Sequence, residues 1–170
     1  MHTSLPQKMV FIMMVGCMFA SKTTQLITKL RKYERAGKKV VALKPALDTR
    51  GENVKLCTHD GVTFEAVPVE RLDFADFSDF DVVGLDELQF FGEDVVPFCV
   101  AMLKAGKTVI GSGLSGSFNQ TSMGHMDKLY PLATSITHLT AVCTRCGEDA
   151  SYTKKFGGSG EVVEIGAGEL

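Results

Sequence analysis

Gly16-Cys17-Met18-Phe19-Ala20-Ser21-Lys22-Thr23 is the stretch on which the fold turns. It matches the phosphate-binding loop G-x-x-x-x-G-K-[ST] at every fixed position but one, where Ser21 stands for glycine. The apolar run Met9 to Val15 precedes it and a helical pattern opens from Thr24, giving the strand–loop–helix context that such a loop needs. There, backbone N–H groups and the helix N-terminus hold phosphate oxygens. Lys22 would reach the β- and γ-phosphates and the Thr23 hydroxyl would ligate Mg²⁺. The plainer alternative is a strand–helix turn that happens to carry a lysine. Ser21 puts a Cβ where the backbone must wrap a phosphate. A left-handed conformation there would cost about 1–2 kcal/mol, which predicts weakened ATP binding rather than its loss.

The bulk properties leave few other classes open. The chain has 170 residues, suited to one domain with at most a small appendage. Its apolar content is 45% and its charged content 22%, ordinary for a soluble globular protein. A net charge of −2 offers no basic field for nucleic acid. Met9 to Val15 is too short to span a membrane and runs into the loop rather than a cleavage site, so neither an anchor nor a signal peptide is expected. Of the five cysteines only Cys143 and Cys146 are closely spaced. A reduced, cytoplasmic setting is the expectation, and there such a pair points to metal or redox chemistry.

Outward from the loop, strands and helices alternate. Met9 to Val15 suits a strand buried on both faces. Leu26, Ile27, Leu30 and Tyr33 recur at helical spacing over Thr24 to Ala36, with Gly37 as a stop. Val40 to Leu43 is a second strand, residues 44–62 a loop, and Val62 to Val69 a further strand. Phe80 to Asp86 is an apolar strand ending in acid. Asp94 to Ala105 is helical, with Pro97 in its first turn. Thr108 to Ile110 begins another strand, Gly111 to Gly124 is a Gly- and Ser-rich loop, and Ile136 to Val142 is a strand running into the cysteine pair. This order predicts an α/β fold, a mostly parallel sheet flanked by helices, in a domain over residues 1–140. A small lobe follows over 141–170.

Asp86-Glu87 is the second chemical element. An acid at a strand end downstream of such a loop fits the group that holds Mg²⁺, and Glu87 a general base for a hydroxyl nucleophile. The alternative is a solvated acidic strand end.

Asp86-Glu87-Leu88-Gln89-Phe90-Phe91 resembles the D-E-x-Q-F-F signature of the type II thymidine kinase family. The run from Gly16 to Thr24 resembles that family's P-loop, and Asp48-Thr49-Arg50 its D-T-R segment. Ala105 to Ile110, Leu139 to Cys146, Ala150 to Lys154 and Glu161 to Gly166 match it as well. The likeness is collinear from Met9 onward.

The resemblance implies a P-loop domain with a small C-terminal zinc-ribbon-like lasso lobe, and ATP-dependent phosphorylation of the 5′-hydroxyl of thymidine or deoxyuridine. Glu87 would accept the hydroxyl proton. Gly16, Cys17, Met18, Phe19, Ala20, Ser21, Lys22, Thr23 and Thr24, with Asp48, Asp86 and Gln89, would serve ATP and Mg²⁺. Arg50 would steady phosphate charge during transfer. Met18, Phe90, Leu114 and Phe118 would line the thymine pocket, with Gln89 beside them; by residue type alone, Met18, Leu114 and Phe118 read first as plain core packing. Thr153 would contact the base, and the backbone of Val162, Val163, Glu164 and Ile165 would bond it from the lasso. A homotetramer is implied too.

Three departures stand out. Ser21 replaces the loop glycine. Ser115, in Leu114 to Phe118, stands where the family has an acid or amide, and residues 119–124 lack the usual basic residue and Pro-Phe pair. The sequence given reaches Leu170, whereas the family continues through a tyrosine and a second Cys-x-x-Cys. A structural Zn²⁺ needs four ligands, of which Cys143 and Cys146 supply two. Either the natural chain is longer or the lobe does without zinc. The departures motivate a second reading, a degenerate domain that binds nucleotide weakly or acts as a structural partner. A generic P-loop ATPase or another nucleoside kinase is the third.

Overall fold

The computed structural model describes residues 8–46, 55–58 and 60–154. Asp48, Arg50, Val162, Val163, Glu164 and Ile165 therefore lie outside the described residues.

The strands are β1 (Val10–Gly16), β2 (Val40–Pro45), β3 (Lys55–Cys57), β4 (Thr63–Glu65), β5 (Val67–Val69), β6 (Val82–Leu85), β7 (Thr108–Leu114), β8 (Ser135–Leu139), β9 (Ala141–Val142) and β10 (Asp149–Ala150). The α-helices are α1 (Lys22–Arg35), α2 (Phe74–Phe77), α3 (Val95–Lys104) and α4 (Met126–Leu129). Six strands form one sheet in the order β5-β2-β6-β7-β1-β8. Every pairing within it is parallel.

Alternation along the strands builds a layer on each face of this sheet. Phe11, Met13 and Val15 of β1 join Val83, Leu85 and Val109 against Phe98, Cys99 and Met102 of α3. Met14, Ala42, Val82 and Ile110 point the other way, onto Leu26, Ile27 and Leu30 of α1. These are three of the four positions whose spacing marked that helix, and the fourth, Tyr33, is partly buried against the same layer. Burial of Cys99 in the α3 layer pushes its thiol up to about 12, so it is inert at neutral pH.

The expected α/β architecture is borne out, and four local expectations are corrected. The segment 111–114, expected as the start of a loop, completes β7. Its glycines are there for packing: a Cβ on Gly111 would come within 3.1 Å of Leu88 Cγ, so Leu88 fills the space a side chain would take. Val62 to Val69 is split at Ala66. β4 pairs antiparallel with β3, a strand that falls inside the expected loop, while β5 joins the main sheet beside β2. Ile136 to Val142 is likewise divided into β8, on the sheet edge, and β9, which pairs antiparallel with β10. The short helices α2 and α4 carry too few residues for helical periodicity to mark them.

Candidate active site

The site forms at the C-terminal ends of β1, β6 and β7, where ligands bind in open α/β sheets. The chain leaves β1 at Gly16 and turns through residues 17–21 into α1. Phe19 and Ser21 both take the left-handed conformation, at φ 63° and φ 56°. The residue that breaks the loop pattern thus occupies the backbone region that favours glycine. Ser21 makes no side-chain cap, and the first turn of α1 carries no acid.

Lys22 folds back over the loop, its Nζ donating to the Cys17 carbonyl at 2.6 Å. Burial lowers its pKa, against the raising pull of Glu87, Cys17 and Asp86. Thr23 turns the other way. Its hydroxyl donates to the Asp86 carboxylate at 3.3 Å to Oδ1 and 3.2 Å to Oδ2.

Asp86 directly follows β6 and is buried. Its backbone N–H donates to the Leu43 carbonyl at 3.0 Å, fixing the strand end against β2. Burial raises the Asp86 pKa, while Ser112, Thr23, the Glu87 amide and Lys22 pull it down. Glu87 is also left-handed, at φ 56° and ψ 51°. A non-glycine residue held there is strained, and such strain clusters at functional sites. Burial first, and then the charge of Asp86, raises the Glu87 pKa; Gln89 and Lys22 oppose them. The Asp-Glu pair is therefore a partly enclosed double acid beside a lysine, not a solvated strand end.

Gln89 is buried with both ends of its amide used: Nε2 donates to Glu87 Oε2, and Oε1 accepts from the Leu114 N–H at 3.0 Å. It ties the double acid to the end of β7. The Ser115 amide donates to the Gly16 carbonyl at 3.1 Å, tying that same end to the start of the loop. Met18, Phe90, Leu114 and Phe118 are each half-buried, and none belongs to the two core clusters. Plain core packing does not describe them.

The small hairpin of β9 and β10 docks on the loop. The Cys17 thiol donates to the Ala150 carbonyl at 3.2 Å, and the Met18 amide to Thr153 Oγ1 at 3.0 Å. At its tip, backbone N–H bonds from Cys146 and Arg145 lower the Cys143 pKa. Among the described residues no three His, Cys, Asp or Glu side chains gather to hold a metal. The two thiols alone do not fit a structural Zn²⁺, which needs four ligands.

The Thr23–Asp86 pair does fit Mg²⁺, a hard cation that takes oxygen ligands from one or two carboxylates and phosphates. The geometry brings together the loop backbone, a lysine, an oxygen pair that fits a divalent cation and a half-buried carboxylate. Sequence reasoning missed Ser112, which donates from β7 to Asp86. A lone hydroxyl in the apolar run Val109 to Leu114 was the available signal, hidden when that segment was expected to be loop.

The family profile described as thymidine kinase matches residues 9–170. The human cytosolic thymidine kinase is 43% identical over 157 residues, covering 91% of this chain and 66% of that protein. The vaccinia virus (strain Tian Tan) thymidine kinase is 38% identical over 160 residues, covering 93% of this chain and 89% of the viral protein. The bovine cytosolic thymidine kinase is 41% identical over 157 residues, covering 91% of this chain and 65% of its own length. The chain thus spans just under two thirds of the mammalian relatives and most of the viral one. Among the described residues no helix is long and apolar enough to cross a membrane.

Proposed function

This chain belongs to the thymidine kinase family, and from that premise we propose that it transfers the γ-phosphoryl group of ATP to the 5′-hydroxyl of thymidine or deoxyuridine. The observation that carries the reading is the hydrogen bond from Thr23 to Asp86, which joins the phosphate loop to the strand-end acid at the mouth of the sheet.

ATP would supply the phosphoryl group, and Mg²⁺ bound with it would supply divalent charge that offsets the charge of the phosphates. The protein's own part begins with Gly16 to Thr24, which cradle the phosphates. Lys22, whose Nζ donates to the Cys17 carbonyl, would instead bond phosphate oxygen when nucleotide is bound. Thr23 and Asp86 hold the cation, and Glu87 accepts the proton of the 5′-hydroxyl. A bond forms from the 5′-oxygen to the γ-phosphorus as the bond from that phosphorus to the β–γ bridging oxygen breaks, giving the nucleoside monophosphate and ADP. The raised pKa of Glu87 makes it a stronger base than an open carboxylate. Gln89 holds it. Met18, Phe90, Leu114 and Phe118 line the thymine pocket, with Thr153 near the base. Asp48 and Arg50, on the phosphates, and the backbone of Val162, Val163, Glu164 and Ile165, on the base, complete the proposal from outside the described residues. A kinase domain over 1–140 with a small lobe over 141–170, a cytoplasmic setting and a homotetramer go with it on the family resemblance.

The test is transfer from ATP to thymidine by the 170-residue chain with Mg²⁺ present. Thymidine monophosphate and ADP should form in equal amounts, with deoxycytidine and deoxyguanosine poor acceptors. ADP release without a nucleotide product would point instead to a generic ATPase and sink the reading.

A further inference from the structure

We propose that Ser112 is a positioning residue for the cation-binding acid: from β7 its hydroxyl donates to Asp86 and holds that carboxylate toward Thr23. The inference rests on the assignment of Thr23 and Asp86 to Mg²⁺ made above.

Ser112 is 1% exposed and pairs in register with Met14 of β1. It is flanked by Gly111 and Gly113, and in the buried stretch Val109 to Gly113 it is the one polar side chain. A hydroxyl in such a place costs folding free energy unless it is hydrogen-bonded. Its bond is to Asp86 Oδ1. A purely structural demand at this position would be met by alanine, which brings no polar atom into the layer.

Asp86 needs that donor. It is 7% exposed, and a buried carboxylate persists in its charged form only where donors and positive charge surround it. Thr23 approaches both carboxylate oxygens from α1, while Ser112 approaches one of them from the neighbouring strand. Two donors from two rigid elements fix the rotation of the carboxylate about its own axis. One donor leaves it free to swing. Groups that orient a metal-binding carboxylate in this way typically change metal affinity by 10- to 100-fold when removed.

The experiment is calorimetric titration of the full chain with ADP, once with Mg²⁺ and once with EDTA, for the native protein and for Ser112→Ala. In Ser112→Ala the affinity for ADP with Mg²⁺ should fall about tenfold, while the affinity in EDTA stays within a factor of about two. Ser112→Cys, close in volume and a weak donor, should fall between the two, and it carries the test if the alanine variant does not fold. Equal losses with Mg²⁺ and EDTA, no loss in either, or a native affinity indifferent to Mg²⁺ would each overturn the proposal. Thymidine enters neither titration, so failure to phosphorylate it would count against the proposed function and leave this result standing.

Discussion

The hydroxyl of Thr23 lies 3.2 Å from Oδ2 of Asp86, although 63 residues separate them along the chain. One lies in the first turn of α1 and the other directly follows β6, so the bond closes the site only because β1 and β6 run parallel in one sheet. Around it stand the groups whose replacement has measurable consequences.

Glu87→Gln should lower phosphoryl transfer at neutral pH by roughly 10²–10⁴-fold, the usual contribution of a positioned base. Nucleotide binding should persist in calorimetry. Transfer near the native rate would show that another group takes the proton. In the native protein the limb of the rate profile that needs ionised Glu87 should lie at higher pH than for an ordinary carboxylate, since burial and Asp86 raise its pKa.

The same shift carries a stability consequence of the opposite sign. A carboxylate whose folded pKa is raised binds more protons in the native state than in the unfolded one. Its contribution is therefore greatest below its ordinary unfolded pKa and is lost as pH rises through its raised folded value. Glu87→Gln removes that loss. The variant should melt above the native protein at pH 7, with the gap narrowing as pH is brought down toward 4. Scanning calorimetry across that pH range checks it, and a variant that melts lower at pH 7 contradicts it.

Ser21→Gly should stabilise the loop. At φ 56° the serine Cβ is crowded, at a cost of about 1–2 kcal/mol, partly offset by the greater freedom of glycine in the unfolded chain. A net gain near 0.5–1 kcal/mol in denaturant unfolding is expected, together with tighter ATP binding. Unchanged ATP affinity would count against any account in which Ser21 weakens the site.

Gln89→Met removes both halves of the bridge while nearly keeping its volume. The Leu114 amide is then left without its side-chain partner, at about 1–3 kcal/mol. Glu87 also loses the bond that lowers its pKa, so the acid limb of the rate should shift to higher pH. A stability loss with no movement of that limb would restrict Gln89 to a structural part.

Gly84→Ala tests how closely α1 sits on the sheet. A Cβ there would fall 2.7 Å from Leu30 Cδ1, and Leu30 is fully buried. Overpacking of this kind costs about 1–3 kcal/mol. Because α1 begins at the phosphate loop, ADP affinity should fall with the melting temperature. The pair Gly84→Ala with Leu30→Val should recover part of both.

Local signals were legible where they repeat or where they match a motif. The phosphate loop, the α1 stripe of Leu26, Ile27 and Leu30, the acidic end of β6 and the alternation that makes an α/β sheet are all properties of short windows, and the sequence alone determined them. So too did the collinear motifs that the family relationship bears out. Gly111 and Gly113 misled for the same reason: in a window they signal a loop, but across the sheet they make room for Leu88 and for the amide of Gln89.

Tertiary structure decided the rest, because the deciding contacts join residues that no window contains. Ser112 and Asp86 are 26 residues apart, and Met18 and Thr153 are 135 apart. Whether a buried hydroxyl finds a carboxylate, or a half-buried carboxylate keeps an unusual proton affinity, depends on which strands become neighbours and how much water they exclude. The residue types at these positions came from the sequence; their protonation, their strain and their partners came from packing.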